Sequence, residues 1–378
     1  MIEIKNKSEC NGCHACQSVC PKKCITMSCD ELGFRYPEVN KDVCIECGLC
    51  VKKCPMLSDK ENEKFTGKVF AAYNKNDTVR KSSSSGGVFT LLATDIIRRG
   101  GVVFGASFDS DFSLSHICVG KEEDLHLLRG SKYLQSKIGT SFHEAKEYLE
   151  KNIPVMFTGT PCQIAGLKKY LGKKYENLLT QDVVCHGVPS PYVWKKYLES
   201  LEKEYGAKAI KVNFRNKVSG WSNYSVTVDF DNGERYSSPF GKDPYMDAFL
   251  SNLSLRDSCY NCKFKHGNIY SDITLGDFWG IQTVLPRFDM QDKGSSIIIV
   301  NTVKGYENYK NIENELNAEE LFDISPAIKA NPCIEAPVAK PKAREWFFKS
   351  IKKKSLRKTM KRYYIKKRAF DFLQSFFK

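Results

Sequence analysis

The chain has 378 residues, of which 42% are hydrophobic and 27% are charged. These values are ordinary for globular proteins and exclude wholesale disorder, and the length predicts two or three domains. The longest clean apolar runs are short, such as residues 297–300, whereas a membrane-spanning helix needs about 20 apolar residues. The first residues contain no apolar core of signal-peptide length. We therefore expect a cytoplasmic protein.

The net charge of +14 is concentrated at one end of the chain. Residues 341–378 contain 14 Lys and Arg against Glu345 and Asp371, which gives +12 and leaves +2 for the other 340 residues. The high charge therefore describes a C-terminal tail and not the main surface.

Sixteen cysteines require an explanation, and ten of them lie in the first 54 residues. Disulfides are rare in the reducing cytosol, so metal binding or redox chemistry is the better interpretation. We therefore predict a dedicated metal-binding module at the N-terminal end.

Two cysteine runs share the pattern C-x2-C-x2-C-x3-C-P, and the second follows the first by 34 residues. This is the spacing of two 4Fe–4S clusters in bacterial ferredoxins, where the fourth cysteine of each run binds the other cluster. Structural zinc, the alternative, usually takes two CxxC pairs with a longer spacer. The ferredoxin rule predicts a first cluster on Cys10, Cys13, Cys16 and Cys54, and a second on Cys44, Cys47, Cys50 and Cys20.

Two further cysteines in this region, Cys24 and Cys29, fall outside the pattern and are interpreted as spare thiols. Residues 25–27 and 34–36 flank Gly33 and predict a small hairpin between the two runs. Clusters of this kind move single electrons, so the module is predicted to be an electron-transfer unit that serves the rest of the chain.

A charged segment follows, with six charges in the eleven residues 58–68. It predicts a solvated linker and a domain boundary near residue 64.

Helix and strand signals mix in the body of the chain. Apolar spacing and cap residues predict helices at 88–99, at 141–152 with a capping box of Ser141 and Glu144, at a segment ending near Gly172, and at 190–206. Strands are predicted at 102–108, 153–158, 178–184, 224–230 and 234–238, the last two as a hairpin. The body is therefore α/β or α+β with a mixed sheet.

A serine- and glycine-rich segment, KSSSSGG at residues 81–87, leads directly into the first of these helices. Small residues let the backbone approach a ligand, and a helix N-terminus attracts anions such as the pyrophosphate of a flavin or nucleotide. A solvated loop with a helix cap is the alternative. No GxGxxG follows the first strand, so a standard Rossmann site is not supported.

Four cysteines of the body could converge. Cys162 and Cys185 each follow a predicted strand, and Cys259 and Cys262 form a third CxxC. Four thiolates from these loops could hold zinc or another 4Fe–4S cluster, and buried inert thiols are the alternative.

These stretches together resemble the beta subunit of coenzyme F420 hydrogenase and dehydrogenase, with a fused ferredoxin domain. The matching segments span roughly residues 70–302 and read SSSSGGVFTLL, RGSKYLQS, FTGTPCQIAGL, VVCHGVPSP, CYNCKF, DITLGDFWGI and KGSSIIIVNT. The resemblance and the residue patterns together predict an α+β protein: a two-cluster ferredoxin-like domain at 1–64, a mixed α/β flavoprotein domain at 65–335, and a basic helical tail at 336–378. The tail falls outside the matching segments.

The resemblance also implies a noncovalent FAD beside a third 4Fe–4S cluster. Carried over residue by residue, the ligands of that cluster are Cys162, Cys185, Cys259 and Cys262. The residues implied to line the flavin site are Ser85, Gly86, Gly87, Lys132, Tyr133, Gln135, Gly159 and Thr160. His186 is expected to pack beside a ligand, and Asp277 is expected to stabilise a turn near the flavin.

The expected function is that of an iron–sulfur flavoprotein oxidoreductase. Its clusters exchange single electrons with a ferredoxin or another redox protein, and its flavin exchanges hydride or electron pairs with a deazaflavin coenzyme or another small molecule. The alternative is an electron-transfer subunit that serves a partner enzyme. The resemblance makes surface-polysaccharide biosynthesis one candidate setting for it, because related fusions often accompany such genes. A nucleic-acid-binding iron–sulfur protein is a third hypothesis, suggested only by the basic tail.

The tail interleaves aromatic and aliphatic residues with Lys and Arg, which suits an amphipathic helix. Such a helix could pack on the body or on a partner subunit. It could also contact the anionic inner face of a membrane, or a nucleic-acid backbone.

Overall fold

The computed structural model describes residues 1–57, 67–265 and 267–375. The predicted linker lies mostly in residues 58–66, so the boundary near residue 64 lies outside the described residues.

The strands fall into a hairpin, a three-stranded sheet and one large sheet. In chain order they are β1 (Ile25–Cys29), β2 (Arg35–Val39), β3 (Val69–Asn74), β4 (Val102–Phe108), β5 (Leu114–Val119), β6 (Ser136–Lys137), β7 (Val155–Gly159), β8 (Leu178–Val183), β9 (Ala209–Asn216), β10 (Ser225–Phe230), β11 (Arg235–Pro239), β12 (Ile273–Asp277), β13 (Ser296–Val300) and β14 (Leu316–Leu321).

The α-helices are α1 (Ala15–Val19), α2 (Leu49–Lys52), α3 (Asp77–Ser82), α4 (Val88–Arg98), α5 (Leu125–Leu128), α6 (Ser141–Glu150), α7 (Pro161–Leu171), α8 (Pro191–Tyr205), α9 (Pro244–Leu250), α10 (Ile281–Val284), α11 (Val303–Ile312), α12 (Ser325–Ala330), α13 (Arg344–Ile351) and α14 (Leu356–Ser375). Short 3₁₀ helices include Asp257–Asn261 and Pro332–Ile334.

The large sheet has nine strands in the order β14-β3-β13-β12-β8-β7-β4-β5-β6. Its centre is parallel, since β12 pairs with β8, β8 with β7 and β7 with β4 in the same direction. Antiparallel strands flank this centre on both sides. The sheet is therefore mixed, as predicted, and the carboxyl ends of β7, β8 and β12 lie along one edge.

Helices cover both faces of the large sheet. Strand β4 illustrates this arrangement, because successive residues of a strand point to opposite faces of the sheet. Val103 packs with α4 and α11 on one face, whereas Phe104 packs with α6 and α7 on the other. Both faces of the centre are therefore buried, which is typical of parallel strands joined through helices.

Most predicted elements are confirmed, with two corrections. The capping box at Ser141 is wrong: α6 is capped at Thr140, and the Ser141 hydroxyl instead donates to the His116 carbonyl at 3.1 Å. The strand predicted at 153–158 begins later, at Val155, because the Ile153 amide is bonded to the end of α6 through the Tyr148 carbonyl.

The two cysteine runs fold in the same way. Gly12 and Glu46, which are 34 residues apart, both have a positive φ, at 69° and 51°. His14 and Gly48 repeat this relation with φ of 64° and 73°, and each begins a short helix, α1 or α2. The sequence repeat is therefore also a backbone repeat, as expected of two equivalent cluster-binding loops.

The N-terminal region shares its core with the body. Leu32 and Phe34 of the β1–β2 turn belong to the same apolar cluster as Trp194 of α8. The Ser190 hydroxyl donates to the Leu32 carbonyl at 2.6 Å. On the other side, α7 approaches so closely that a Cβ at Gly166 would stand 3.2 Å from the Cys13 sulfur. The cysteine loops are therefore held against the body by close packing.

The first part of the basic tail packs on the body. Phe347, Ile351 and Leu356 are buried in the apolar cluster that also contains α8. The Tyr364 hydroxyl donates to Asp247 at 2.8 Å. These contacts agree with the packing interpretation of the tail and leave cations on its outer side. Within the described residues, no helix is both long and apolar enough to cross a bilayer.

Phe347→Ala tests whether the tail is part of the core. The side chain is fully buried, so we expect the free energy of unfolding to fall by about 3–5 kcal/mol. Ile365→Ala is the matched control in the same tail: that side chain is 59% exposed, and a change within about 0.5 kcal/mol is expected. Urea unfolding measures both, and equal losses would contradict the packing.

Candidate functional site

The first cysteine set comprises Cys10, Cys13, Cys16 and Cys54, as the crossed ferredoxin rule predicts. Burial raises the pKa of Cys16 to about 12, and the neighbouring Cys10 and Cys54 thiols add to that rise. Burial likewise raises the pKa of Cys13. The Gly12 amide donates to the Cys10 sulfur at 3.3 Å. The structure thus brings Cys54, from the second run, to the cysteines of the first.

The second cysteine set surrounds a small cavity of about 20 Å³. The predicted ligands that line it are Cys20, Cys44, Cys47 and Cys50. The Ile2 amide donates to the Cys50 sulfur at 3.2 Å, whereas Cys47 is exposed. Cys24, predicted to be spare, lines the same cavity with its sulfur 3.3 Å from that of Cys20. Cys29 is exposed at the end of β1.

The third cysteine set comprises Cys162, Cys185, Cys259 and Cys262. Cys162 is the second residue of α7, directly after β7, and Cys185 follows β8. These neighbouring strands are parallel, so both residues lie at one edge of the sheet. Cys259 lies in the 3₁₀ helix Asp257–Asn261 and Cys262 ends it. All four line one cavity of about 180 Å³.

The surroundings of the third set fit a metal centre. Burial raises the pKa of Cys162 to about 12 and that of Cys259 to about 11, and the neighbouring thiols add to both rises. These thiols would stay protonated at neutral pH unless a cationic centre held them as thiolates. The Val188 amide donates to the Cys259 sulfur at 3.4 Å, so one sulfur in each set accepts a backbone N–H. Such bonds stabilise thiolate ligands.

In the part of the chain that the structure describes, no three His, Cys, Asp or Glu side chains converge as ligands of a single metal ion. A 4Fe–4S cluster takes one thiolate on each of four irons, so its ligand sulfurs stand farther apart than those around one ion.

A larger cavity, of about 400 Å³, adjoins the third set. Its volume lies in the range of about 300–1,000 Å³ that is usual for small-molecule sites. Seven of the eight residues implied for the flavin site line it: Ser85, Gly87, Lys132, Tyr133, Gln135, Gly159 and Thr160. Cys162 and Cys185 line both this larger cavity and the 180 Å³ cavity of the third set.

Gly86, the eighth implied residue, does not line the larger cavity. Its amide donates to the Ser296 hydroxyl at 2.9 Å, and a Cβ there would stand 2.4 Å from the Ala72 carbonyl oxygen. Gly86 therefore lets the serine-rich loop lie against β3 and β13. The adjacent Gly87 has a φ of 83° and begins α4 at the cavity wall.

Lys132 is a half-buried cation in the lining of the larger cavity. Its ammonium donates to the carbonyls of Leu128, Arg129 and Gly130 at 3.2 to 3.3 Å. Burial lowers its pKa to about 8. The side chain is therefore charged at neutral pH and close to losing that charge.

Asp277 stabilises the cavity wall, in agreement with its expected structural role. Its carboxylate accepts two bonds from Arg215, at 2.9 and 3.1 Å, and one from the Trp221 indole at 3.1 Å. Arg215 is buried, donates to the Ser84 carbonyl at 3.2 Å and lies over the Tyr224 ring. The bidentate pair joins β9 to the end of β12, and the separate bond to Ser84 ties the serine-rich loop to β9.

His186 packs as expected for a neighbour of a ligand. Its Nε2 donates to the Asn252 amide oxygen at 2.7 Å, and its ring lies 4.8 Å from that of Phe249. Its Nδ1 lies 3.4 Å from the sulfur of Cys333.

Sequence reasoning missed several residues at the site. Cys333 lines both cavities and lies close to the third set. The buried Lys265 ammonium donates to the carbonyls of Cys185 and Cys333 at 2.5 and 2.7 Å. Arg256 is fully buried next to Cys10. Arg256 and Lys265 flank the third CxxC in the chain, which is the one signal that could have pointed to them.

Comparison with known proteins bears on both regions. A family model for the C terminus of the coenzyme F420 hydrogenase/dehydrogenase beta subunit matches residues 154–323. A 4Fe-4S dicluster domain model matches residues 9–57. The first match contains all four cysteines of the third set, and the second contains both N-terminal sets.

Two curated relatives extend over most of the chain. The F subunit of the F(420)H(2) dehydrogenase of Methanosarcina mazei is 23% identical over 73% of this chain and 77% of that protein. Coenzyme F420-dependent sulfite reductase of Methanocaldococcus jannaschii is 26% identical over 84% of this chain, which spans 48% of that protein. A chain in a solved F420-reducing NiFe hydrogenase complex of Methanosarcina barkeri aligns with a TM-score of 0.46 and 18% identity, over 69% of this chain and 84% of that chain.

Proposed function

Because the chain belongs to the coenzyme F420 hydrogenase/dehydrogenase beta-subunit family and carries a 4Fe–4S dicluster domain, we propose that it is an iron–sulfur flavoprotein oxidoreductase. Each of the three cysteine sets would hold one 4Fe–4S cluster. FAD would occupy the larger cavity. The division into parts at 1–64, 65–335 and 336–378 stays a prediction of the sequence.

One observation carries this proposal: the cysteine sets follow one another from the surface to the cavity. The second set includes the exposed Cys47. Cys54 of the first set borders the same apolar cluster as Cys162 and Cys262 of the third. The third set in turn shares its lining with the larger cavity. Neighbouring redox centres in this order would connect an external one-electron carrier with a buried cofactor.

Clusters transfer one electron at a time, whereas a bound flavin also exchanges hydride or electron pairs. The chain's own residues would bind and orient that flavin. The N-terminus of α4 and the Lys132 ammonium offer positive charge to a pyrophosphate. Arg215, held by Asp277, anchors the serine-rich loop through its bond to the Ser84 carbonyl.

The relatives indicate only the chemical class of the substrate. Both curated relatives have names that refer to coenzyme F420, so we propose a deazaflavin or another small hydride acceptor as the partner of the flavin. The direction of electron flow stays open. The cytoplasmic location and contact of the tail with a membrane surface stay predictions of the sequence.

An exposed surface at the second set favours a second candidate, in which the chain serves a partner enzyme or redox protein. We call it the donor face. It combines exposed residues of the two cysteine runs and their flanks: the apolar Val43, Ile45 and Val51, the cations Lys22, Lys23, Lys41 and Lys52, and the acids Asp42 and Glu46. Because the four lysines outnumber the two acids, this surface suits docking of an acidic one-electron carrier such as a ferredoxin. Reduction of a small molecule by the lone chain with such a carrier would favour the enzyme over the subunit.

The cofactor assignment predicts metal content. Protein purified without oxygen should hold about twelve irons and about one FAD per chain, because three four-iron clusters are proposed. The double variant Cys259→Ser/Cys262→Ser should retain about eight irons and keep the electron paramagnetic resonance signals of the other two clusters. Cys29→Ser/Cys118→Ser, outside the three sets, is the control. Full iron content in the first variant would contradict the third cluster.

Flavin binding should depend on pH through Lys132. Its pKa is about 8, and a bound pyrophosphate would raise it, so FAD affinity should be constant below pH 8 and fall above it. The fall should be at most about tenfold per pH unit, since one proton is linked. Fluorescence titration of the FAD-free protein measures this. Lys132→Met should bind weakly with little pH dependence, whereas the exposed Lys137→Met should keep the fall. A persistent fall in Lys132→Met would contradict the assignment.

The donor face predicts a salt-dependent rate. Changing Lys22, Lys23 and Lys52 to Glu should slow reduction by an acidic ferredoxin about tenfold or more at low ionic strength, and less at high salt where charges are screened. Lys203, Lys349 and Lys358, exposed on α8, α13 and α14, provide a control with the same charge change. Stopped-flow kinetics measures the rate, and equal slowing in both variants would exclude this face.

A further inference from the structure

Arg256 lies between the two parts of the protein that carry the first and third cysteine sets. Its side chain is fully buried. The guanidinium donates to the carbonyls of Cys10 and Arg35, both at 2.8 Å, and to the side-chain oxygen of Gln135 at 3.0 Å. The Arg256 carbonyl accepts from the Cys259 amide at 3.0 Å. One residue therefore contacts the loop of the first set and begins the turn of the third.

Arg256 differs from the other buried arginines in its partners. Arg80, Arg215 and Arg344 each pair with a carboxylate, at 2.7, 2.9 and 3.3 Å. Among the ion pairs found in the described residues, none includes Arg256; its acceptors there are neutral oxygens, and its guanidinium lies 4.2 Å from the centre of the Tyr36 ring. A fully buried charge without a counter-charge is strongly unfavourable.

The proposed clusters supply that counter-charge. A 4Fe–4S cluster with four thiolate ligands carries net negative charge, and the cluster becomes more negative when it accepts an electron. Arg256 bonds directly to the backbone of Cys10 and is three residues before Cys259. Its positive charge therefore faces the first and third sets, and the low dielectric of the interior strengthens the attraction.

We propose that Arg256 is a positioning residue that balances the charge of the first and third clusters and so favours their reduced forms. It leaves the second cluster largely unaffected. This inference rests on the proposed function. The second set lies at an exposed surface, where water and salt screen charges. Arg256 thus makes the two inner clusters easier to reduce than they would be without it, which offsets the cost of burying their negative charge. Its three bonds also hold the Cys10 loop against Gln135 in the cavity wall.

The test is a redox titration of the full chain, with the clusters followed by electron paramagnetic resonance. In Arg256→Gln, the reduction equilibrium constants of the two inner clusters should fall about tenfold, which is about 59 mV for a one-electron couple. The outer cluster should not shift, so it serves as an internal reference. Arg256→Lys should restore most of the loss, because it keeps the charge.

A second variant tests the charge without removing the arginine. Gln135→Glu places a carboxylate at the oxygen that already accepts from the guanidinium, so it should lower the potentials of the same two clusters even if Arg256→Gln does not fold. Arg80→Gln is the control for loss of a buried arginine, and it should reduce stability while leaving all three potentials unchanged.

The outcomes separate this inference from the function on which it rests. Unchanged potentials in Arg256→Gln or Gln135→Glu, or an equal shift of all three clusters, would overturn the role of Arg256 while the wild type still holds about twelve irons. A wild type without iron would overturn the proposed function, and this inference with it.

Discussion

Buried thiols shape this structure, because a buried thiolate is stable only beside a cation. Cysteines as far apart in the chain as Cys162 and Cys262 line one cavity at the edge of the large sheet, and burial raises the pKa of each of Cys13, Cys162 and Cys185. Backbone amides reach a sulfur in every set. The fold therefore provides thiol groups in places where only bound metal would make the thiolate form favourable.

This constraint explains why the N-terminal region shares a core with the body. Gly166 lets α7 approach Cys13, and Cys54 borders an apolar cluster with Cys162. Electron transfer between neighbouring centres requires that their separation stay fixed, which a free linker would not ensure. Packed side chains hold that separation here, and Arg256 adds hydrogen bonds to both sides of the same junction.

The sequence predicted what local spacing determines. The cysteine repeat revealed both N-terminal sets, and strand ends placed Cys162 and Cys185 at one edge of the sheet. It could not reveal Arg256 and Cys10 as partners, because they are 246 residues apart and no local pattern links the two positions. Gly86 also has a structural reason that the sequence did not show, because its absent Cβ makes room for the backbone of β3. Strand β9 was also not predicted, because many of its residues are exposed and give no clear apolar pattern.

The positive charge of the chain lies on two surfaces with different roles, the C-terminal tail and the donor face. Most of it comes from the tail, yet the apolar side of that tail, including Phe347 and Met360, is buried on the body. The donor face has its own lysines around an exposed cysteine. A high isoelectric point alone would suggest nucleic acid as the partner. The arrangement of the charges argues otherwise, because the apolar residues of α13 and of the first part of α14, as far as Tyr364, pack on the body, and the proposed docking of an acidic carrier uses the separate lysines of the donor face.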